Sequence, residues 1–234
     1  MLASHRRTFL QRAALGLAGV ASAPVLALAQ ADSWFDIAAD DGKPVSNSRL
    51  PVELTSEIET LPGVIWAGSS SKAVTLFEFY DFNCPYCRVA SGDLHTLMAA
   101  HPELRIGLVN NAILSPGSVQ AARIEAALLV LKGPEAAYDF HRRLFAMPGR
   151  ADGARALKLG EGLGVARAEL EAVADSERIG KMVSAQRNLA ANLGLAATPS
   201  FVAGGAGLLG YPGPKSLARI VTALDECGEV VCRP

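Results

Sequence analysis

The run Ala73-Val74-Thr75-Leu76-Phe77-Glu78-Phe79-Tyr80 is followed three residues later by Cys84-Pro85-Tyr86-Cys87. The run is apolar, β-branched and aromatic, and reads as a buried strand. Pro85 stands at a first helical position, and Val89 to Ala100 reads as helix until His101-Pro102. This hand-over puts Cys84 near a helix N-terminus, where free N–H groups and the helix dipole favour a thiolate. Cys87 lies one turn deeper and less exposed. Cys84 is therefore the candidate nucleophile, and Cys87 the resolving thiol that closes the ring and releases a mixed disulfide.

The rest of the chain sets this unit in an α/β frame. Leu104 to Val109 reads as a second strand. Residues 112–195 are rich in Ala, Leu, Glu and Arg at helical spacing, which predicts helices near 118–132, 134–146, 151–163, 167–174 and 176–193. Thr198 to Val202 reads as a short strand, Gly204-Gly205-Ala206-Gly207 as a hairpin turn and Leu208-Leu209 as the return. Pro214 opens a last helix from Lys215 to about Glu226. The order is β-α-β, a block of helices, then β-β-α. Residues 30–70 read as a lead-in with one short strand, and residues 71–234 as the domain itself.

The first 29 residues are of another kind. Arg6 and Arg7 precede an apolar run, Ala13 to Leu28, that has no acidic residue and ends in Ala27-Leu28-Ala29. This is the pattern of a secretory signal cleaved near Ala29. His5-Arg6-Arg7-Thr8-Phe9-Leu10 is similar to a twin-arginine signal, with His5 where Ser or Thr is usual. General secretion fits nearly as well. Gly16, Gly19 and Pro24 interrupt the run, which makes it short and broken for a membrane span. The chain beyond Ala29 would carry 19 basic and 23 acidic residues, a net charge of −4. No Lys/Arg cluster resembles a nucleic-acid footprint. The four cysteines, Cys84, Cys87, Cys227 and Cys232, all follow the segment, and an even count in an exported chain favours disulfides.

The segment Glu78-Phe79-Tyr80-Asp81-Phe82-Asn83-Cys84-Pro85-Tyr86-Cys87 resembles the active-site segment of the DsbA-like thiol:disulfide oxidoreductases, a branch of the thioredoxin superfamily. Three further stretches are similar to that family. Leu114-Ser115-Pro116-Gly117-Ser118 resembles the start of its helical insertion, and His141 to Met147 resembles a helix within it. Leu193 to Val202, with Thr198-Pro199, resembles its cis-proline segment. The match covers about residues 50–225.

The resemblance implies a thioredoxin-like fold with a helical insertion at about 112–195, and roles for named residues. Pro199 would be cis beside the cysteine pair, and the Thr198 backbone would meet an extended client strand. Glu78 would lie under the active site and handle a proton during exchange, with the raised pKa of a buried carboxylate. Pro85, Tyr86 and Phe82 would border the client, and Tyr86 would tune the thiolate towards a less extreme oxidant than relatives with His there. Partners would be exported proteins bearing thiols or disulfides, and a membrane redox partner that recycles the site. No cofactor and no metal are implied, and a monomer is expected, because residues 32–60 are short for a dimerisation arm.

Other readings stand beside these. Glutaredoxins share the Pro-Tyr dipeptide, but the long insertion argues against a plain glutaredoxin. The dithiol could hold Cu(I). Reductase or isomerase chemistry uses the same residues, and a non-catalytic binding or chaperone module would dispense with exchange. Glu78 could be an exposed residue of an edge strand. Cys227 and Cys232 read as a local structural disulfide, whose short loop constrains the unfolded chain by only ~2 kcal/mol. They could instead be a second redox pair, or join Cys84 and Cys87 around zinc. His95, His101 and His141 read as helix-surface or helix-end residues, and Trp34 and Trp66 as packing residues.

Overall fold

The computed structural model describes residues 33–70 and 74–233, so the predicted export segment lies outside the described residues. The elements run β1 (Asn47–Arg49), α1 (Val52–Thr60), β2 (Ile65–Gly68), β3 (Val74–Tyr80), α2 (Pro85–Ala100) and β4 (Leu104–Asn110). Five helices follow: α3 (Pro116–Lys132), α4 (Pro134–Ala146), α5 (Gly153–Gly162), α6 (Arg167–Ala174) and α7 (Glu177–Asn192). The chain closes with β5 (Ser200–Ala203), β6 (Ala206–Leu209) and α8 (Pro214–Cys227).

The described strands form one sheet in the order β1-β6-β5-β3-β4-β2. β3 and β4 are parallel, joined by α2, and every other pairing is antiparallel. The alternation of β3 sorts its side chains between two cores. Leu76 and Tyr80 join Ile106 and Leu108 of β4 with Leu94 of α2, Phe140 of α4 and Ile220 of α8. Phe77 and Phe79 face the other way, against Ile58 of α1 and Leu189 of α7. Each of these large side chains contributes about 1.5–3 kcal/mol on full burial. β3 is therefore buried on both faces, which is why its sequence reads as a continuous apolar run.

Turn chemistry sets the corners. Gly133 ends α3 at φ +86°, a conformation that L side chains rarely adopt, and Pro134 starts α4 at once. Gly204 and Gly205 both have positive φ and form a two-residue hairpin between the paired Ala203 and Ala206. The predicted turn was two residues too long, since Ala206 and Gly207 belong to β6.

The lead-in expectation is corrected more substantially. Residues 33–70 supply a helix and both edge strands of the sheet, not one short strand. β1 has three residues and β2 four, too few to show a period, and backbone pairing with β6 and β4 holds them. Trp34 is 63% exposed rather than packed, with the Arg49 guanidinium 6.0 Å from its ring centroid. Trp66 does pack, edge-on to Phe77 and with Arg105 stacked on it at 3.9 Å.

Gly107 of β4 pairs with Trp66 on one side and Phe77 on the other, so two rings close over it. A Cβ there would come within 2.5 Å of the Phe77 ring and 3.0 Å of the Trp66 ring. Gly107→Ala should cost about 1–3 kcal/mol in denaturant unfolding. Pairing it with Phe77→Leu should return part of that loss.

Candidate active site

β3 runs into the cysteine turn through Asp81, and Asp81 ties the turn to the helical insertion. Its fully buried carboxylate accepts from Asn83 N–H at 2.7 Å and Ser118 Oγ–H at 2.6 Å on one oxygen. The other oxygen accepts the N–H groups of Ile113 and Leu114, each at 2.8 Å. Asn83 extends the tie. Its amide donates to Ser115 Oγ, Ser118 Oγ and the Ala151 carbonyl, all at 3.0 Å, and accepts the Ala151 N–H at 2.9 Å. Arg88, one turn into α2, donates to the Phe145, Met147 and Gly149 carbonyls. Asp81, Asn83 and Arg88 had no predicted role. The signal was there: three polar residues within one turn of a cysteine pair in a buried setting.

Cys84 is the N-cap of α2, with Pro85 at the first helical position. Its Sγ receives the Cys87 N–H at 3.3 Å, and its thiol donates to the Thr198 carbonyl at 3.0 Å. The Thr198–Pro199 peptide is cis. Thr198 is half-buried and Pro199 buried, so the loop before β5 meets the start of α2 at the sulfur. Both cysteines are free thiols. The Cys87 thiol, then the Thr198 side chain and the N–H groups of Cys87 and Tyr86, lower the Cys84 pKa to about 6 against the opposing effect of burial. Cys87 is fully buried, and that burial pushes its own thiol strongly up, aided by its contact with Cys84 and by Glu78. Two chemically identical groups three residues apart are thus pulled in opposite directions, because one caps the helix and the other lies inside the fold.

Glu78 is 0% exposed, on central strand β3 between β4 and β5. The exposed-edge alternative is thereby excluded. Neither carboxylate oxygen has a hydrogen-bond partner in the protein. Burial first, then the nearby Cys84 and Glu125, raise its pKa to about 8.

Phe82 is a correction. It is 2% exposed and packs against Tyr80, Phe140 and Phe145, so it braces the turn from inside and does not border a client groove. The apolar alternation that sends Tyr80 into this core carries Phe82 with it. His141 is a second correction: it is 1% exposed, with Nδ1 3.1 Å from Glu125 Oε1. It falls on the α4 stripe Ala137, Phe140, His141, Leu144, a helical spacing that could have placed it inside. Glu125, on the buried side of α3, also accepts from the Tyr80 hydroxyl. His95 and His101 do lie at the helix surface and helix end.

Pro85 and Tyr86 are exposed beside Cys84, Tyr86 by 64%. Of the seven exposed large hydrophobic residues described, four surround this turn: Tyr86, Val89, Ile113 and Leu114. Cys227, the last residue of α8, forms a disulfide with Cys232, and among the described residues no group of three or more His, Cys, Asp or Glu is placed to hold a metal ion.

A family model described as thioredoxin matches residues 60–226. The chain belongs to the thioredoxin family. Its sheet is mixed, and five helices are inserted between β4 and β5. A thioredoxin-like oxidoreductase from Silicibacter pomeroyi DSS-3 shares 29% identity, over 74% of this chain and 96% of that one, with a TM-score of 0.66. The thiol-disulfide exchange protein alpha-DsbA2 from Wolbachia pipientis has the same fold at 20% identity, over 74% and 94% of the two chains, with a TM-score of 0.66. So does a periplasmic thioredoxin-like protein from Salmonella enterica serovar Typhimurium, at 19% identity over 76% and 99%, with a TM-score of 0.67. Comparison with curated proteins finds no significant match.

Two measurements follow from these environments. Alkylation of the reduced protein by iodoacetamide should rise with pH around a midpoint near 6 rather than the ordinary 9.0. Cys87→Ala should move that midpoint up, since it removes the largest cause. Glu78 takes its proton more readily folded, at about 8, than at its ordinary 4.5. Its burial is therefore least costly below pH 4.5, and stability is lost as pH rises through 8. Glu78→Gln should be the more stable protein at neutral pH, by about 3 kcal/mol at pH 7, with little advantage at pH 4.

Proposed function

We propose that the protein is an exported thiol:disulfide oxidoreductase that oxidises paired thiols of client proteins through Cys84 and Cys87. The observation that carries this reading is the Cys84 sulfur at the N-cap of α2, holding the Cys87 N–H and lying 3.0 Å from the Thr198 carbonyl. In the oxidised enzyme a client thiolate attacks Cys84 Sγ. The Cys84–Cys87 bond breaks, and its electron pair leaves on Cys87, which takes a proton from Glu78. A second client thiolate then attacks the client sulfur of the mixed disulfide, and Cys84 leaves as a stabilised thiolate. The client gains a disulfide and the enzyme two electrons. The client's extended backbone pairs beside Thr198, and its apolar side chains rest on Tyr86, Val89, Ile113 and Leu114.

The oxidising direction draws support from two features. A Cys84 pKa of about 6 stabilises the reduced form at pH 7 by ~1.4 kcal/mol, about 30 mV towards oxidant. The described lead-in is used up as α1 and the sheet edges, so it offers no free dimerisation arm of the kind an isomerase needs. Export to the periplasm or beyond rests on residues 1–29, on the even cysteine count and on the Salmonella structure being described as periplasmic. No described helix is long and apolar enough to cross a membrane.

Cys84→Ala should abolish exchange with a dithiol peptide, and Cys87→Ser should accumulate mixed disulfides with clients. The reduction potential of the pair should lie well above about −270 mV, towards the about −120 mV of strong oxidants. A value at the lower figure would overturn the oxidising direction and leave a reductase.

A further inference from the structure

A small cavity of about 10 Å³ lies beneath the cysteine turn between β3, β4, α2 and α4. Its polar lining is Glu78, Ser91, Tyr138 and His141; the remainder is apolar. Two of these side chains are fully buried and carry atoms that no protein group satisfies: both Glu78 oxygens, and His141 Nε2. An unpaired buried polar group costs about 1–3 kcal/mol. A space of roughly 10–15 Å³ with two to four polar partners is what one buried water needs.

The orientation of His141 is set from behind. Its Nδ1 meets Glu125 Oε1 at 3.1 Å, while Glu125 Oε2 accepts the Tyr80 hydroxyl. In the tautomer whose Nδ1–H donates to Glu125, Nε2 presents a lone pair to the cavity. We infer that the cavity binds one water, which bridges the Glu78 carboxyl to His141 Nε2 and makes His141 a positioning and relay residue for the Glu78 proton.

This inference rests on the reading of Glu78 as the acid–base partner of Cys87, and adds where its proton comes from. When Cys87 leaves as a thiolate it takes the Glu78 proton. Solvent supplies a proton to the neutral His141 imidazole by way of Tyr138, whose hydroxyl lies 3.3 Å from Nδ1 of the exposed His95. The imidazolium so formed, its charge facing Glu125, passes that proton through the water to the Glu78 carboxylate and returns to the neutral imidazole. In the reverse direction each transfer runs backwards, so protons balance both ways. The other titratable groups that face the pair are Cys84 and Cys87 from α2, Tyr80 from β3 and Glu125 from α3. Arg142 acts on Tyr138 from α4, and Tyr211, bonded to Asp93, acts from the loop before α8.

The test compares Glu78→Gln, His141→Gln and the unaltered protein in the full chain. The infrared band of a buried protonated carboxyl, assigned by its loss in Glu78→Gln, is followed against pH, and single-turnover oxidation of a dithiol peptide gives the rate. His141→Gln keeps a hydrogen-bonding side chain but cannot take a proton. It should move the band's pH midpoint by about half a unit or more and slow turnover on the order of tenfold, less than the about hundredfold expected of Glu78→Gln. A slow Glu78→Gln beside a His141→Gln with unaltered midpoint and rate overturns this inference alone. A Glu78→Gln as fast as the unaltered protein overturns the parent reading of Glu78. Should His141→Gln not fold, a diffraction structure of the unaltered protein decides: an ordered water within hydrogen-bonding distance of both Glu78 and His141 supports the bridge, and its absence overturns it.

Discussion

Asp81 sits where the central strand ends, fully buried, and its two oxygens accept four hydrogen bonds drawn from three stretches of chain. One comes from the cysteine turn, two from the link after β4, and one from the first turn of α3. Leaving a buried polar group unpaired costs about 1–3 kcal/mol, so the Asp81 carboxylate favours the arrangement in which these three stretches arrive together. That preference joins the α/β frame to the helical insertion at the point where chemistry takes place. Asn83 and Arg88 repeat the device on either side of Cys84, reaching the chain between α4 and α5. The reactive turn is clamped by polar groups inside the protein, while its outer side stays open and apolar.

The clamp makes a steep gradient of environment over a few residues. Cys84 caps a helix and gathers N–H groups; Cys87 and Glu78 are enclosed with little to solvate a charge. The thiolate is favoured at the first and opposed at the second, and the buried acid holds its proton to about pH 8. An exchange reaction needs this asymmetry: one sulfur that leaves easily and one that does not linger as an anion. The cost falls on folding stability, since an enclosed acid is easier to accommodate in the unfolded chain as pH rises. Sites of this kind trade stability for chemistry.

Long periodic segments were legible from sequence. The predicted helices 134–146 and 167–174 coincide with α4 and α6, and their neighbours differ by at most two residues at either end. Each spans two or more turns, bounded by Gly or Pro or by an N-cap, so local chemistry sufficed. The lead-in was not legible. β1 is Asn47-Ser48-Arg49, polar and three residues long, and only its pairing with β6 makes it a strand. Phe82 and His141 failed for a related reason. A loop aromatic and a helical histidine are each found inside and outside folds, and which holds here depends on the packing of α4 against the turn.

The sequence by itself determined the strand-to-helix hand-over, with Cys84 at a helix N-terminus and Cys87 one turn in. Both follow from residue type and spacing, which act within a few residues. It also carried the family, through motifs spread over most of the chain. Only the tertiary structure decided that Glu78 is sealed in a central strand, that the Thr198 carbonyl stands 3.0 Å from the Cys84 sulfur, and that Glu78 and His141 share one small cavity. These contacts join residues far apart in the chain. Their existence depends on sheet order and helix packing, to which no local propensity refers.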